Sequence, residues 1–169
     1  PVNDAPVAVP DGFAGDEDLP ITGNVLDNDN DVDSATLTAV WVSGPAHGAL
    51  VLQANGDFIY TPDADFNGAD NFTYLVHDGQ LASDEVTVTL NVQPVNDAPV
   101  VTAVANASLD EGQVLGFTLA ARDADGDALV YRLLSGPGQI DAASGAYQFN
   151  ALDGDARYTV SLRVDDGRA

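Results

Sequence analysis

The sequence predicts an all-β chain built as two tandem β-sandwiches, and three observations carry that expectation. Pro94-Val95-Asn96-Asp97-Ala98-Pro99-Val100 repeats Pro1 to Val7 residue for residue, 93 positions later. An identity of that length at a period suited to one small all-β module marks a tandem array. Short alternating runs of β-branched and aromatic residues recur in both halves, separated by Gly, Pro, Asn and Asp turns. Nowhere does a 3.6-residue apolar period persist over a dozen residues, and about seven short strands per copy suit a sandwich. The first module is expected at 1–94, including its own linker copy at 1–7, and the second at 95–169. In each linker, prolines flank an Asn-Asp pair. They fix φ and remove amide donors, so the segment stays extended and stiff while two polar side chains present oxygens.

In the first module, Val7 to Val9 reads as a short opening strand, and Asp11 to Asp18 as an acidic, Gly-containing loop whose carboxylates face water or metal. Leu19 to Leu26 resumes apolar spacing. Asp27-Asn28-Asp29-Asn30-Asp31-Val32-Asp33 then places four carboxylates and two amides in seven residues, and these carboxylates repel one another unless a cation intervenes. Thr36 to Ser43 alternates as a strand, with its Trp41 expected in the core. Ala49 to Gln53 and Asp57 to Thr61 flank Asn55-Gly56, a hairpin signature. Pro62 to Asp70 reads as a carboxylate-rich loop whose Phe66 plugs one end of the sandwich. Asn71 to His77 and Glu85 to Val92 alternate as strands on either side of an Asp78-Gly79 turn.

The second module follows the same plan in different wording. Val100 to Val104, the Asp110-Glu111-Gly112 turn and Val114 to Ala121 lead into Asp123-Ala124-Asp125-Gly126-Asp127. Asn3 to Asp31 is 28 residues and Asn96 to Asp123 is 27, so the acidic clusters fall in register with the linkers. Ala128 to Leu134, Gln139 to Asp141, Ala146 to Phe149 and Arg157 to Val164 supply further strands, and Asp166-Gly167 matches Asp78-Gly79. No counterpart to the alternating strand Glu85 to Val92 follows that turn, so the second repeat is expected to lack its final strand and to be less stable, or to be completed in trans.

Composition narrows the partners. Twenty-seven Asp and Glu against five Arg and no Lys give a formal charge of −22, which disfavours nucleic acid and anionic membranes, since both need basic patches. A divalent cation is the leading partner. With no Cys, neither disulfides nor a thiolate zinc site can staple so small a module. No apolar run approaches the ~20 residues of a membrane helix, and no charged-then-apolar leader precedes Pro1, so a soluble segment without its own targeting signal is expected.

At these residues the chain resembles a known family. The Val-Asn-Asp-Ala-Pro linker, the Asp-x-Asp cluster and the Val-x-Asp-Gly turn near each module's end are similar to bacterial cadherin-like tandem repeats of large secreted, RTX-type adhesins. Asp16-Glu17-Asp18, Tyr60-Thr61-Pro62-Asp63-Ala64-Asp65-Phe66-Asn67-Gly68 and Phe72-Thr73-Tyr74 occur in that family's order. Leu152-Asp153-Gly154-Asp155 resembles the cadherin Leu-Asp-Arg-Glu segment, with Asp155 in the Glu position. The resemblance implies Ig-like, cadherin-like Greek-key sandwiches, an extracellular cell-surface location and Ca2+ bound between modules. Calcium takes about six to eight hard oxygens, more than one module end readily offers. Carried over, the central site takes Glu17 and Asp63 or Asp65 from the first module, Asn96 and Asp97 from the linker, and Asp123, Asp125 and Asp166 from the second. Asn3, Asp4, Asp31, Asp33 and Asp78 form half of a site shared with a preceding repeat. Glu111, Asp153 and Asp155 form half of one shared with the next.

Any single Asp is more simply a solvated turn residue, and Asn71-Phe72-Thr73 and Asn106-Ala107-Ser108 read as chance glycosylation triplets. The paired clusters Asp31/Asp33 and Asp123/Asp125 stand apart because they recur in register. His47 and His77 lack the spacing for zinc or a triad and read as structural. Glycoside hydrolysis by paired carboxylates needs a deep cleft with one raised pKa, whereas these pairs fall in end loops, so no catalytic residue is expected. Two functions remain: a calcium-stiffened spacer contacting adjacent repeats of its own chain, or a calcium-dependent binding module making homophilic contacts or gripping a surface polysaccharide.

Overall fold

The computed structural model describes residues 2–151 and 157–168. No helix occurs among them, and the chain divides into two compact units, Pro1–Val95 and Asn96–Ala169.

In unit 1, β1 (Asp11–Asp16), β7 (Val86–Gln93), β6 (Gly68–His77) and β3 (Thr38–Ser43) form one sheet in that order. A second sheet runs β2 (Ile21–Asn24), β5 (Asp57–Pro62), β4 (Gly48–Leu52). All pairings are antiparallel except β1 with β7, which is parallel. Alternation along each strand turns one face inward: Phe58 and Tyr60 from one sheet meet Phe72, Tyr74, Val76, Val88, Leu90 and Val92 from the other in a single buried cluster. Burying each such side chain contributes about 1.5–3 kcal/mol. The β4–β5 connection contains Asn55 and Gly56, and Gly56 takes φ +89°, a left-handed conformation that favours glycine. At Gly48 a Cβ would lie 2.5 Å from the Thr61 carbonyl oxygen, so the close approach of β4 to β5 requires glycine.

Three expectations are corrected in this unit. Asp11–Asp16 is a strand, not a solvent-facing loop: pairing with β7 turns Phe13 onto the core, edge-on to Phe58 with centroids 4.8 Å apart. Two glycines and a single large apolar residue hide that alternation from a hydropathy reading. Val7 to Val9 makes only an isolated bridge, Val7 to Asn30. Trp41 lies on the outer side of β3, 50 % exposed, rather than in the core. Phe66 does pack against the cluster, stacked on His47 with ring centroids 4.4 Å apart.

Asp70 belongs to β6 and is 3 % exposed. Its oxygens accept the amides of Ala46 (2.9 Å), His47 (2.8 Å) and Asn71 (2.8 Å) and the Tyr60 hydroxyl (2.9 Å). Desolvation alone would raise its pKa, but these four donors outweigh it and hold the carboxyl below its ordinary value. Tyr74 is the centre of a second polar group. Its hydroxyl faces Asp29 Oδ2 (3.0 Å), Asp11 Oδ2 (3.1 Å) and the Val25 carbonyl (2.8 Å). A phenol carries one proton, so it cannot serve all three acceptors. Burial pushes both carboxyls above the usual range, with Tyr74 and the Val9 amide, respectively, offsetting part of the rise.

Unit 2 repeats the frame. β9 (Val114–Thr118), β13 (Ala146–Asn150) and β12 (Gln139–Ile140) correspond to β2, β5 and β4. β11 (Val130–Ser135) pairs with β14 (Ser161–Asp165) as β3 does with β6. Even the irregularity recurs, between Trp41 and Ser43 in one unit and Leu133 and Ser135 in the other. β8 (Val100–Val101) and β10 (Ala121–Arg122) form a short ladder of their own. The expected strands Val100 to Val104 and Arg157 to Val164 are therefore shorter. Among the described residues β14 is paired only with β11, and no strand forms over 102–110, where β1 would correspond. The buried apolar side chains here are Leu119, Tyr131 and Tyr147, a thinner core than that of unit 1.

Asp70→Ala leaves three amides and the Tyr60 hydroxyl without this acceptor and is expected to destabilise unit 1 by about 2–4 kcal/mol in denaturant titrations. Because the Asp70 pKa is lowered on folding, its contribution is present above the unfolded value and is lost as pH falls through the folded one. Asp11 has the opposite sign: a carboxyl whose pKa is raised costs stability above that folded pKa, and the cost fades as pH falls through it. Asp11→Asn is therefore expected to raise the melting temperature at pH 7 in chelator and to leave it unchanged in strong acid.

Candidate metal centre

The Asn-Asp pair of each linker is held by side chains from later in its own unit. In unit 1, Asn3 Nδ2 donates to Asp78 Oδ2 (2.6 Å), and the Asp4 amide donates to Asp33 Oδ2 (2.8 Å). Asp31 Oδ1 accepts the amides of Asp33 and Ser34, each at 2.7 Å, closing an Asx turn that aims its second oxygen elsewhere. Asp78 Oδ1 accepts the Gln80 and Leu81 amides at 2.6 and 2.7 Å. The Asn3 amide, aided by Leu81 and Gln80, holds the Asp78 carboxyl at about 2. Asn3, Asp4, Asp31, Asp33 and Asp78 thus lie in one hydrogen-bonded neighbourhood.

Unit 2 carries the same pattern. Asn96 Nδ2 donates to Asp166 Oδ2 (2.8 Å), the Asp97 amide to Asp125 Oδ2 (2.8 Å), and the Arg168 amide to Asp166 Oδ1 (2.9 Å). Asp123 Oδ1 accepts the Asp127 amide at 3.1 Å. Carboxylate oxygens of Asp123, Asp125 and Asp127 lie within 4.8 Å of one another. Asp127 thereby joins the group, and it also binds the Arg168 guanidinium at 2.9 Å. Ala35 stands at the corresponding place in unit 1, so the linker register alone did not mark Asp127.

A separate constellation closes unit 1 beside Val95. Glu17, 3 % exposed, accepts the Val95 amide on Oε1 (2.6 Å) and Asn67 Nδ2 on Oε2 (3.2 Å). Asp18 Oδ1 accepts the Asp65 amide at 3.2 Å, and both residues take positive φ, +60° and +59°. Asn67 and Asp18, which stand in the family motifs but outside the expected ligand set, join it here; their adjacency to Asp65 and Glu17 in sequence is the signal for them. Asp63 and Asp65 are both exposed; Asp65 lies by Asp18, whereas Asp63 is in no carboxylate group among the described residues. Glu111 is exposed. Asp153 and Asp155 lie outside the described residues.

The chemistry of these donors fits a hard cation. Among the described residues, Asp31 Oδ2, Asp123 Oδ2 and Asp127 Oδ2 are shut off from solvent and accept no hydrogen bond. A buried carboxylate oxygen without a donor costs free energy that a cation would relieve. The donors are carboxylate and amide oxygens, with neither thiolate nor imidazole among them, which suits calcium and not zinc.

Comparison with known proteins places the chain. The bacterial Ig domain profile, Big_9, matches residues 3–91 and again 96–169. Chitinase A of Pseudoalteromonas piscicida is 32% identical over 117 residues, covering 65% of this chain and 14% of that protein. Integrin beta-like protein E of Dictyostelium discoideum is 29% identical over 135 residues, covering 71% of this chain and 7% of its own length. The chain thus spans a small fraction of either relative. Among solved structures, human CDH23 EC21-23 shares the fold at a TM-score of 0.58 and 16% identity, over 95% of this chain and 68% of that one. Two matches of one profile in tandem, on sandwiches of cadherin-like fold, make this chain a member of the bacterial Ig domain family, carrying two copies of the domain.

Proposed function

We propose that the chain is a non-catalytic, calcium-binding spacer of an extracellular bacterial adhesin, in which Ca2+ shared between consecutive domains stiffens the array. The observation that carries this reading is a repeated constellation: Asn3 donates to Asp78 and the Asp4 amide to Asp33 in one unit, as Asn96 does to Asp166 and the Asp97 amide to Asp125 in the other. Val95 and Asn96 share a peptide bond, so the Glu17 oxygen on the Val95 amide and the Asn96 set are anchored to consecutive residues of one linker. In this reading Glu17, Asp18 and Asp65 supply one share of the ligands. Asn96, Asp97, Asp123, Asp125 and Asp166 supply the other. The bound ion would neutralise mutual repulsion in a chain of formal charge −22. Such extracellular modules bind calcium with Kd on the order of 0.1–1 mM, so sites of this class fill outside cells and empty in a cytosol.

One observation favours a second reading. The relative named chitinase A shares a segment that is 14% of its length, which suits a domain appended to an enzyme. As an appended binder the chain would grip polysaccharide, with exposed Trp41 as the stacking residue.

Calcium at roughly a hundredfold excess over Kd is expected to add about 2.7 kcal/mol per site and to raise the melting temperature; equal melting in chelator and calcium overturns the metal reading. Small-angle scattering is expected to show a longer, narrower distribution of dimensions with calcium than without. Asp97→Ala or Asp125→Ala is expected to abolish that difference while leaving unit 1 folded; a calcium response that survives both changes removes the linker mechanism. Depletion on chitin that requires Trp41 would instead favour the appended binder.

A further inference from the structure

In unit 1 the outer face of β1, β7 and β6 is nearly free of charge, in a chain of formal charge −22. Phe72, Val88 and Leu90 turn inward, so the residues between them stand on the opposite face. Ladder pairing sets Thr89 between Gly12 and Asn71, and Asn91 between Ala14 and Ala69, and all six are exposed. Among the described outward positions of these three strands, Asp16, opposite Gln93 at one corner, is the one carboxylate. An exposed face kept uncharged in so acidic a chain needs a reason beyond solubility. Two features of it are not required by the fold. Gly12 has no left-handed φ, and a Cβ there would meet nothing within 4 Å, so the strand has room for a side chain, yet it carries the residue that weakens strands. Among the described residues, Asn71 and Asn91 keep free side-chain amides, whereas Asn3, Asn24, Asn55 and Asn67 spend theirs on the linker and turns.

We propose that this face binds an uncharged polysaccharide, which lies along β7 over Gly12 and Ala14 and is held through its hydroxyls by Asn71, Thr89 and Asn91. Each Asn side chain offers two donors and an acceptor oxygen, and Thr both donates and accepts, a set that matches a polyhydroxylated ligand. Neighbouring strands lie about 4.8 Å apart and same-face residues about 6.7 Å apart along a strand, so these groups repeat on the scale of a sugar ring. Gly12 lets the ligand approach the backbone closely. Charge excludes acidic glycans and nucleic acid, because unit 1 has no Lys or Arg to pair with them. Area excludes a second copy of this chain. Three strands over about seven residues give a patch of roughly 300 Å2, so two such patches bury about 600 Å2, short of the roughly 1,000 Å2 of a specific protein interface. The patch also lacks the aromatic and Arg anchors of such interfaces. The site shares its ligand class with the appended-binder reading but stands on different residues, using neither Trp41 nor calcium.

The test titrates the whole isotope-labelled chain, in calcium, with cellohexaose, chitohexaose and maltohexaose, and with a galacturonic acid hexamer as the anionic counterpart, followed by NMR. At least one uncharged hexamer is expected to move the backbone amides of Gly12 and Thr89 and the side-chain amides of Asn71 and Asn91 saturably, and the anionic hexamer to leave them in place. Gly12→Ile is expected to bind at least about tenfold more weakly at an unreduced melting temperature, since its side chain enters open space on the binding face. Asn91→Ala, which leaves the buried side of β7 untouched, is expected to weaken binding at least about threefold. Absence of saturable shifts at these groups with all three uncharged hexamers, equal affinity in Gly12→Ile, or an equal response to the anionic hexamer overturns the proposal. Shifts centred on Trp41 and lost in Trp41→Ala, with Gly12 and Asn91 unmoved, overturn it while leaving the appended-binder reading in place. Concentration-dependent dimers that move the same groups without sugar overturn it in favour of a second copy.

Discussion

The structure is governed by a surplus of acceptors over donors. Twenty-seven carboxylates face five guanidiniums and no ammonium side chains, so carboxylate oxygens that approach the protein interior must find backbone amides. They do so repeatedly: Asp70 gathers the 44–47 turn onto β6, Asp31 and Asp78 close Asx turns, and Glu17 holds the Val95 amide. Each charge-assisted bond of this kind orders a loop that has little apolar surface to bury. Amides run short in two places. Around Tyr74, one hydroxyl proton meets two carboxylates, and burial raises the pKa of both. In the linker constellations, Asp31, Asp123 and Asp127 each keep a buried oxygen without a donor. The first shortage can be met by a proton; the second recurs with the linker and lies among several other oxygens.

The two domains share a frame but not a core. Unit 1 closes because β7 supplies three inward aliphatics and lets β1 add to the sheet in parallel, which also brings Phe13 onto Phe58. Unit 2 keeps the hairpin β12–β13, the pairing of β13 with β9 and the β11–β14 ladder, but among the described residues its buried apolar side chains are Leu119, Tyr131 and Tyr147. Its polar constellation is nonetheless drawn as in unit 1, because Asn96 and Asp166 are set by the linker and the end of β14 rather than by the depth of the core.

Membership in the bacterial Ig domain family says little by itself about activity, since sandwiches of this kind host many functions and the function lies in sites grafted on them. The cadherin-like neighbours share the fold, and the relatives with similar sequence are proteins many times longer than this segment. The sites this chain carries are the exact repetition of Pro-Val-Asn-Asp-Ala-Pro-Val and the polar geometry built on it. This Pro-flanked, donor-poor linker, with side-chain oxygens on both of its polar residues, connects the two domains.

Most of this frame was legible in the residues themselves. Linker identity, period-two alternation and the Asn55-Gly56 turn are local signals, and they are enough for two sandwiches, for the hairpin and for the register of Asp31 and Asp33 with Asp123 and Asp125. Other features depended on contacts between residues far apart in sequence. Asp11–Asp16 becomes a strand only because β7, more than seventy residues on, offers it an edge. Asp70 enters the core because Ala46 and His47 point their amides at it, and Trp41 stays outside because the β3 pairing with β6 leaves it on the exposed side. Asp18 and Asn67 join Asp65 and Glu17 only once the β5–β6 loop folds back over the β1–β2 turn. Local chemistry thus determined the repeat, the turns and the oxygen-rich linker. Tertiary structure decided which carboxylates gain donors beyond their own turn, because Asp70, Glu17 and Asp33 take amides brought to them from distant parts of the chain.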